Sequence, residues 1–220
     1  MGLLPPLAAK SPVWTKQVLA LGSASAVLGT LCDNCHSRHD VLHYTAPDIL
    51  LPPLLETCAW VPALFATAGI ILGAAHPLLD QIEYGRETSP PGWTKTLLAI
   101  SCFCICYELS GILAEASADK SEQFRLVDLP LAVNAISVYA IFERTLGGLF
   151  MAILTALVGP LVEMFLINVL HLYFYTHSDF FGTPSWICWV YACGSPAVGI
   201  LGRQVLSVLR VEEALRQKPK

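Results

Sequence analysis

The sequence has 220 residues, of which 55% are apolar and only 14% are charged, with a formal net charge of −4. Soluble domains are typically about 45–50% apolar and about 25% charged, so this composition excludes a disordered chain and an ordinary soluble enzyme. The negative net charge offers no basic surface for phosphate groups, which excludes nucleic acid as a partner. We therefore expect a membrane protein.

Uncharged runs along the chain predict the number of membrane crossings. A spanning helix needs about 20 mostly apolar residues, and charged residues mark where such a segment ends. Six runs of suitable length, some interrupted by one acidic residue, cover residues 17–32, 57–79, 96–114, 126–142, 145–178 and 180–202. The sequence thus predicts an all-α membrane protein, a bundle of six transmembrane helices. We divide the chain into a short N-terminus (1–16), the membrane domain (17–206) and a tail (207–220).

The basic residues predict the orientation of this bundle. Six crossings place both termini on one side of the membrane. Of the thirteen basic residues, ten fall in the terminal segments and the even-numbered loops, and only Arg38, Lys120 and Arg125 fall in the odd-numbered loops. Since cytosolic loops carry the excess of Lys and Arg, we expect both termini to be cytosolic.

Two acidic residues lie well inside the apolar runs, Glu108 in the third and Glu163 in the fifth. A charge at the centre of a bilayer costs about 2.5–3.5 kcal/mol on insertion scales. Each residue is therefore either part of a ligand or proton site, or a neutral acid hydrogen-bonded to a carbonyl. These carboxylates also support an alternative function, a small polytopic transporter or channel.

The segment Cys32-Asp33-Asn34-Cys35-His36 fits the C-x-x-C-H pattern of haem attachment, and we expect it in the loop after the first helix. A zinc site, a disulfide and free thiols are alternatives. The chain contains no nucleophile elbow, no Gly-rich phosphate loop and no H-E-x-x-H motif. Nothing in the sequence requires an enzyme, and we predict no cofactor other than a lipid ligand.

Three stretches resemble the insulin-induced gene (Insig) family of sterol regulators of the endoplasmic reticulum. The first is Trp60-Val61-Pro62 with Thr67, Gly73, Pro77 and Asp80 after it, and the second is Phe142-Glu143-Arg144 with Gly148. The third runs from Tyr175-Thr176 through Trp186 to Gly199-Ile200-Leu201-Gly202-Arg203-Gln204. Within these stretches and beside them, we expect a structural motif of Trp60, Pro62, Gly69, Gly73, Gly199, Gly202 and Arg203.

The resemblance implies a multi-pass protein of the endoplasmic reticulum membrane with a regulatory, non-enzymatic function. Proteins of this family bind sterols or oxysterols and hold partners with sterol-sensing domains, the escort protein Scap and HMG-CoA reductase, which controls sterol synthesis. The resemblance suggests Phe103, Glu108 and Tyr139 for sterol contact and Phe142, Glu143 and Arg144 for partner binding. Assembly into a homo-oligomer is compatible with such a bundle.

Overall fold

The computed structural model describes residues 12–52, 54–84, 89–117 and 120–217, with the side chains of Pro12, Lys120 and Ser121 excepted. Most of the predicted N-terminal segment (1–11) and the last three residues of the predicted tail (218–220) lie outside the described residues. Six helices in the described parts are long and apolar enough to cross a membrane. They are α1 (Pro12–Arg38), α2 (Trp60–Tyr84), α3 (Trp93–Ala116), α4 (Phe124–Glu143), α5 (Leu146–Asn168) and α6 (Ile187–Arg216). The six-helix prediction is confirmed.

The helices do not begin and end where the apolar runs do. Polar residues extend some helices beyond their runs, and one helix begins later than its run. The first run ends at residue 32, whereas α1 continues to Arg38. The last run starts at residue 180, but α6 begins only at Ile187, because residues 181 and 182 have positive φ angles that break a helix. The same helix continues through residue 206 to Arg216 without interruption. The charged residues that bound an apolar run therefore locate the apolar part of a helix but not its polar ends.

Short antiparallel strands close one end of the bundle, which we call the hairpin end. Strand β1 (Leu42–Tyr44) pairs with β4 (Tyr173–Tyr175), in the register Leu42 with Tyr175. Strands β2 (Ile49–Leu51) and β3 (Leu55–Thr57) form a separate hairpin. The β1–β4 pair joins the α1–α2 connection to the α5–α6 connection. Because side chains alternate along a strand, Tyr173 and Tyr175 are both buried, and Phe174 between them is exposed.

Glycines allow the helices to pack closely around α6, whose residues Cys193, Ala197 and Ile200 are almost fully buried. A Cβ atom at Gly202 would overlap the carbonyl oxygen of Gly73, so α2 and α6 meet backbone to backbone. A Cβ atom at Gly69 would overlap the side chain of Ser25 on α1. Such close approach supports helix association in lipid, where the hydrophobic effect between helices is weak.

Candidate functional site

Helices α1, α2, α3 and α6 form most of the wall of an open, mainly apolar cavity, and Thr155 of α5 adds one residue. Each of the four main helices contributes residues three or four positions apart, which is the spacing of one helix face. Typical wall residues are Leu28 of α1, Phe65 and Leu72 of α2, Ile100 and Phe103 of α3, and Val198 and Leu201 of α6. We call this space the apolar cavity.

Two glycines make room for the aromatic rings that line the apolar cavity. A Cβ atom at Gly194 of α6 would come within 2.7 Å of the Phe103 ring. A Cβ atom at Gly159 of α5 would overlap the ring of Tyr191. The glycines therefore determine where these rings lie, and a larger residue at either position would displace a ring at the cavity wall.

The C-x-x-C-H segment lies within the last turns of α1, so its predicted placement in a loop is wrong. Cys32 lines the apolar cavity, and its Sγ atom is 3.6 Å from Sγ of Cys104 on α3. Both are free thiols. His36 is buried, with its Nε2 atom 2.8 Å from Oγ of Ser110. Across the described residues no group of three or more His, Cys, Asp or Glu side chains is arranged to hold a metal ion.

A second, smaller cavity adjoins the apolar cavity toward the hairpin end, and the two share Phe65, Tyr107 and Tyr191 as wall residues. We call it the tyrosine chamber. Its wall combines two acidic residues, one histidine and a set of aromatic rings: Asp33, Glu163, His36, Tyr44, Trp60, Tyr107, Tyr173, Tyr175 and Tyr191. The two cavities together form an apolar space with a polar end.

Glu163 is the buried carboxylate of the tyrosine chamber. Tyr175 donates a hydrogen bond of 2.7 Å to Oε2, and Tyr191 donates one of 2.8 Å to Oε1. Burial raises the pKa of Tyr175, which lies on β4, so this phenol remains a neutral donor. On the α1 side of the chamber, Tyr44 donates a hydrogen bond to Asp33. Each acid is thus held by tyrosine hydroxyls and not by a basic side chain.

A buried ion network lies at the opposite, terminal end of the bundle. Arg203 of α6 donates to both carboxylate oxygens of Asp80 on α2, at 2.6 and 2.7 Å. The same guanidinium donates to both oxygens of Glu143 at the end of α4, at 2.6 and 2.9 Å. Thr145, which caps α5, donates to Glu143 as well. His76 is fully buried nearby and its Nδ1 atom, 3.8 Å from Glu143, has no hydrogen-bond partner in the part of the chain that the structure describes.

Glu108 lies near the hairpin end and away from both cavities. Its carboxylate is 2.8 Å from Arg38 and 3.1 Å from His39, and its side chain is 39% exposed. His39 also contacts Glu115, at 2.7 Å. The cost of an acid inside an apolar run is therefore reduced here by partial exposure and by pairing with Arg38 and His39.

The structure separates the residues predicted for sterol contact. Phe103 lines the apolar cavity, whereas Glu108 lies in the exposed cluster just described and Tyr139 lies at the terminal end. The Tyr139 hydroxyl donates to the carbonyl of Thr145 at 3.0 Å. Of the three residues, only Phe103 lines the apolar cavity.

The residues predicted for partner binding lie together at the turn between α4 and α5. Arg144 is exposed and has a positive φ of 65°. Phe142 is partly buried. The side chain of Glu143 is fully buried in the ion network, so its carboxylate is not presented at the surface. In this structure Glu143 positions the turn through Arg203, and its part in partner binding stays a prediction.

Other wall residues were not predicted from the sequence, notably Cys104, Tyr107, Tyr191 and Ser195 of the apolar cavity. The signal that could have found them is the helical spacing of Ile100, Phe103, Cys104 and Tyr107 on α3. In a membrane helix this signal is weak, because the lipid-facing side is as apolar as the side facing the interior.

Taken together, the six helices, the internal cavities and the buried charges define a polytopic, mainly helical membrane protein. No family model matches the chain. It is similar to the Insulin-induced gene 1 proteins of chicken (29% identity over 160 residues, 72% of this chain), Chinese hamster (27% over 188, 85%) and human (26% over 188, 85%). The resemblance to the Insig family is thereby confirmed.

The matched regions cover 60% of the chicken relative, 69% of the hamster relative and 64% of the human relative. The fold is that of a mycobacterial Insig homologue from Mycobacterium vanbaalenii, with a TM-score of 0.69, 16% sequence identity, and coverage of 93% of this chain and 96% of that one. A cross-linked trimer of the same homologue superimposes with a TM-score of 0.68 and the same coverage, at 17% identity. The chain is thus a multi-pass membrane protein that resembles the Insig proteins in sequence and in fold.

Proposed function

We propose that this protein is a non-enzymatic, sterol-responsive regulator of the endoplasmic reticulum membrane. In this proposal a sterol or oxysterol occupies the apolar cavity, and the loaded bundle holds membrane partners with sterol-sensing domains, such as a Scap-like escort protein or HMG-CoA reductase. The observation that carries the proposal is the apolar cavity itself, which lies within the membrane-spanning bundle and is lined by residues of five of its helices. The family resemblance supplies the ligand class and the class of partner.

Sterol and partner must influence each other reciprocally in this mechanism. If a sterol tightens the complex with the partner by some factor, the partner tightens sterol binding by the same factor. Typical coupling energies are about 1–3 kcal/mol, which corresponds to about 5–150-fold in affinity. The terminal turn around Arg144 is where we place the partner contact, since it is exposed and is anchored to α6 through Glu143 and Arg203.

Co-purification tests this function. The tagged protein is isolated from membranes with and without added oxysterol, and the bound proteins are identified by mass spectrometry. We expect a sterol-sensing-domain protein whose recovery rises at least about fivefold with oxysterol. Recovery that does not change over the whole titration would refute sterol-dependent partner binding. Cross-linking in the same membranes tests the self-association that the cross-linked trimer of the mycobacterial homologue suggests.

The transporter alternative rests on Glu163, since Glu108 is paired with Arg38 near the end of the bundle. Flux through the protein in reconstituted vesicles that is abolished by Glu163→Gln would favour the transporter. Flux that is absent, or that this variant does not alter, would remove the alternative's main support.

A further inference from the structure

The tyrosine chamber contains two carboxyl groups, and no basic side chain is paired with either of them. Glu163 is 7% exposed and has a tyrosine donor on each of its oxygens, an arrangement that suits an ionised carboxylate acting only as acceptor. Asp33 on the opposite side of the chamber accepts from Tyr44. Within the described residues, neither acid lies within ion-pair distance of a Lys, Arg or His side chain. An uncompensated buried charge is costly, so the chamber favours a positively charged guest.

The walls of the chamber are also suited to a cation. Trp60 stacks on Tyr173 with ring centroids 6.2 Å apart, and Tyr44 meets both rings edge to face. Aromatic faces attract ammonium groups, and such rings surround the cationic head in known amine sites. The remaining titratable group, His36, is directed to Ser110 through its Nε2 atom.

A free hydrogen-bonding group lies on the wall that the two cavities share. Tyr107 is 6% exposed, and its hydroxyl forms no hydrogen bond with any residue that the structure describes. The hydroxyl oxygen itself is accessible at this wall and is not fully buried. The Tyr107 oxygen therefore has an acceptor site open at the junction of the apolar and polar spaces, which is where the head of an amphipathic molecule would lie.

We propose that the two adjoining cavities form one site for an amphipathic amine, with its apolar body in the apolar cavity and its protonated amino group between Glu163, Asp33 and the Tyr107 hydroxyl. An ammonium group has three donors and no acceptor, which matches three acceptors that lack a cationic partner. The inference rests on the proposed function, because it takes the apolar cavity to hold a lipid. It adds a preference for a cationic head over a neutral hydroxyl.

Paired ligands test this preference. Cholesterylamine and cholesterol share one skeleton and differ in having an amino group or a hydroxyl at the same carbon. Binding of each to the purified, detergent-solubilised protein is measured at pH 7. Hydrogen bonds to charged groups contribute about 1.5–3 kcal/mol, so we expect the amine to bind at least about tenfold more tightly than the alcohol.

Substitutions of the two chamber acids test whether they cause the preference for the amine over the alcohol. Glu163→Gln keeps the side-chain shape and removes the charge, and we expect the preference for the amine to fall to within about threefold. Asp33→Asn is the second variant, and cholesterol binding by each variant shows that it is folded. Glu108→Gln is the matched control, the same substitution outside the chamber, and should retain the full preference. Equal affinities of the unaltered protein for the two ligands would overturn this inference but not the proposed function. A preference for the amine that neither variant changes would do the same. Failure of both ligands to bind the folded protein would overturn the proposed function as well.

Discussion

Arg203 and Glu143 are 60 residues apart in the sequence, and two hydrogen bonds of 2.6 and 2.9 Å join them inside the bundle. Through the same guanidinium, Asp80 links α2 to α6 and to the end of α4. The exposed terminal turn is therefore connected to the helices that form the apolar cavity. This relationship gives the proposed coupling between ligand and partner a physical route, because a shift of α6 at the cavity would act on the turn through these ion pairs.

Removing the shared arginine should destabilise the fold strongly. Breaking a buried ion pair from one side leaves an uncompensated charge and costs about 3–5 kcal/mol. We expect Arg203→Met to lower the free energy of unfolding by about this amount in a denaturant titration in detergent micelles. Arg38→Met is the matched control, since the Arg38–Glu108 pair is 48% and 39% exposed, and should cost less than about 1 kcal/mol. Equal losses in the two variants would contradict the structural role of the network.

Because α2 and α6 are in close contact, adding a single methyl group between them should lower the stability of the fold. A Cβ atom at Gly202 would overlap the Gly73 backbone, which has no flexible side chain that can move aside. We expect Gly202→Ala to lower the free energy of unfolding by about 1–3 kcal/mol. Gly22→Ala is the control, because its Cβ would meet side-chain atoms only, the nearest being the terminal methyl of Ile70 at 3.1 Å. That variant should stay within about 1 kcal/mol of the parent, and a neutral Gly202→Ala would show that the helices are further apart than described.

The hairpin end should lose stability as the pH rises. Burial alone would lower the pKa of His39, but hydrogen bonds to Glu108 and Glu115 outweigh it and raise the pKa above the usual value. A histidine with a raised pKa in the folded state stabilises fully below its unfolded pKa, which is about 6.5, and this stabilisation is lost as the pH passes the folded value. We expect the difference in unfolding free energy between the parent and His39→Gln to be largest below about pH 6.5 and to shrink above it.

Removing the two acceptors provides the control for this pH dependence. A Glu108→Gln/Glu115→Gln double variant keeps His39 but lacks both charged partners, so its stability should follow the pH in the same way as His39→Gln. If the double variant retained the pH dependence of the parent, another group would have to be responsible.

The number of crossings followed from the sequence because it depends on something local, the length of apolar runs between charges. The pairing of strands at the hairpin end could not be predicted in this way. Strands β1 and β4 have three residues each, and four helices separate them along the chain. Three residues carry no measurable periodicity, and their pairing depends on the tertiary arrangement. The aromatic wall that this pairing creates was therefore invisible in the sequence.

Charged residues were the least predictable part of the site. The count of basic residues groups Arg203 with the charges of the terminal segments and even-numbered loops, whereas the structure buries it between two acids. Glu143 follows an apolar run and resembles an exposed loop acid, yet its side chain is fully buried. Sequence shows which charges exist but not which of them meet. For the same reason Glu108 and Glu163, which look alike in the sequence, differ in the structure.

Sterol binding in the apolar cavity is the central claim, and one pair of variants on α2 tests it most directly. Ala68 lines the cavity, whereas Ala63, five residues earlier on the same helix and likewise exposed, is not a wall residue. Binding of radiolabelled oxysterol is measured for Ala68→Leu and Ala63→Leu in purified, folded protein. Because the added side chain occupies cavity volume, we expect Ala68→Leu to reduce affinity at least about tenfold, with Ala63→Leu unchanged. Equal oxysterol affinity in both variants and the parent would contradict the claim.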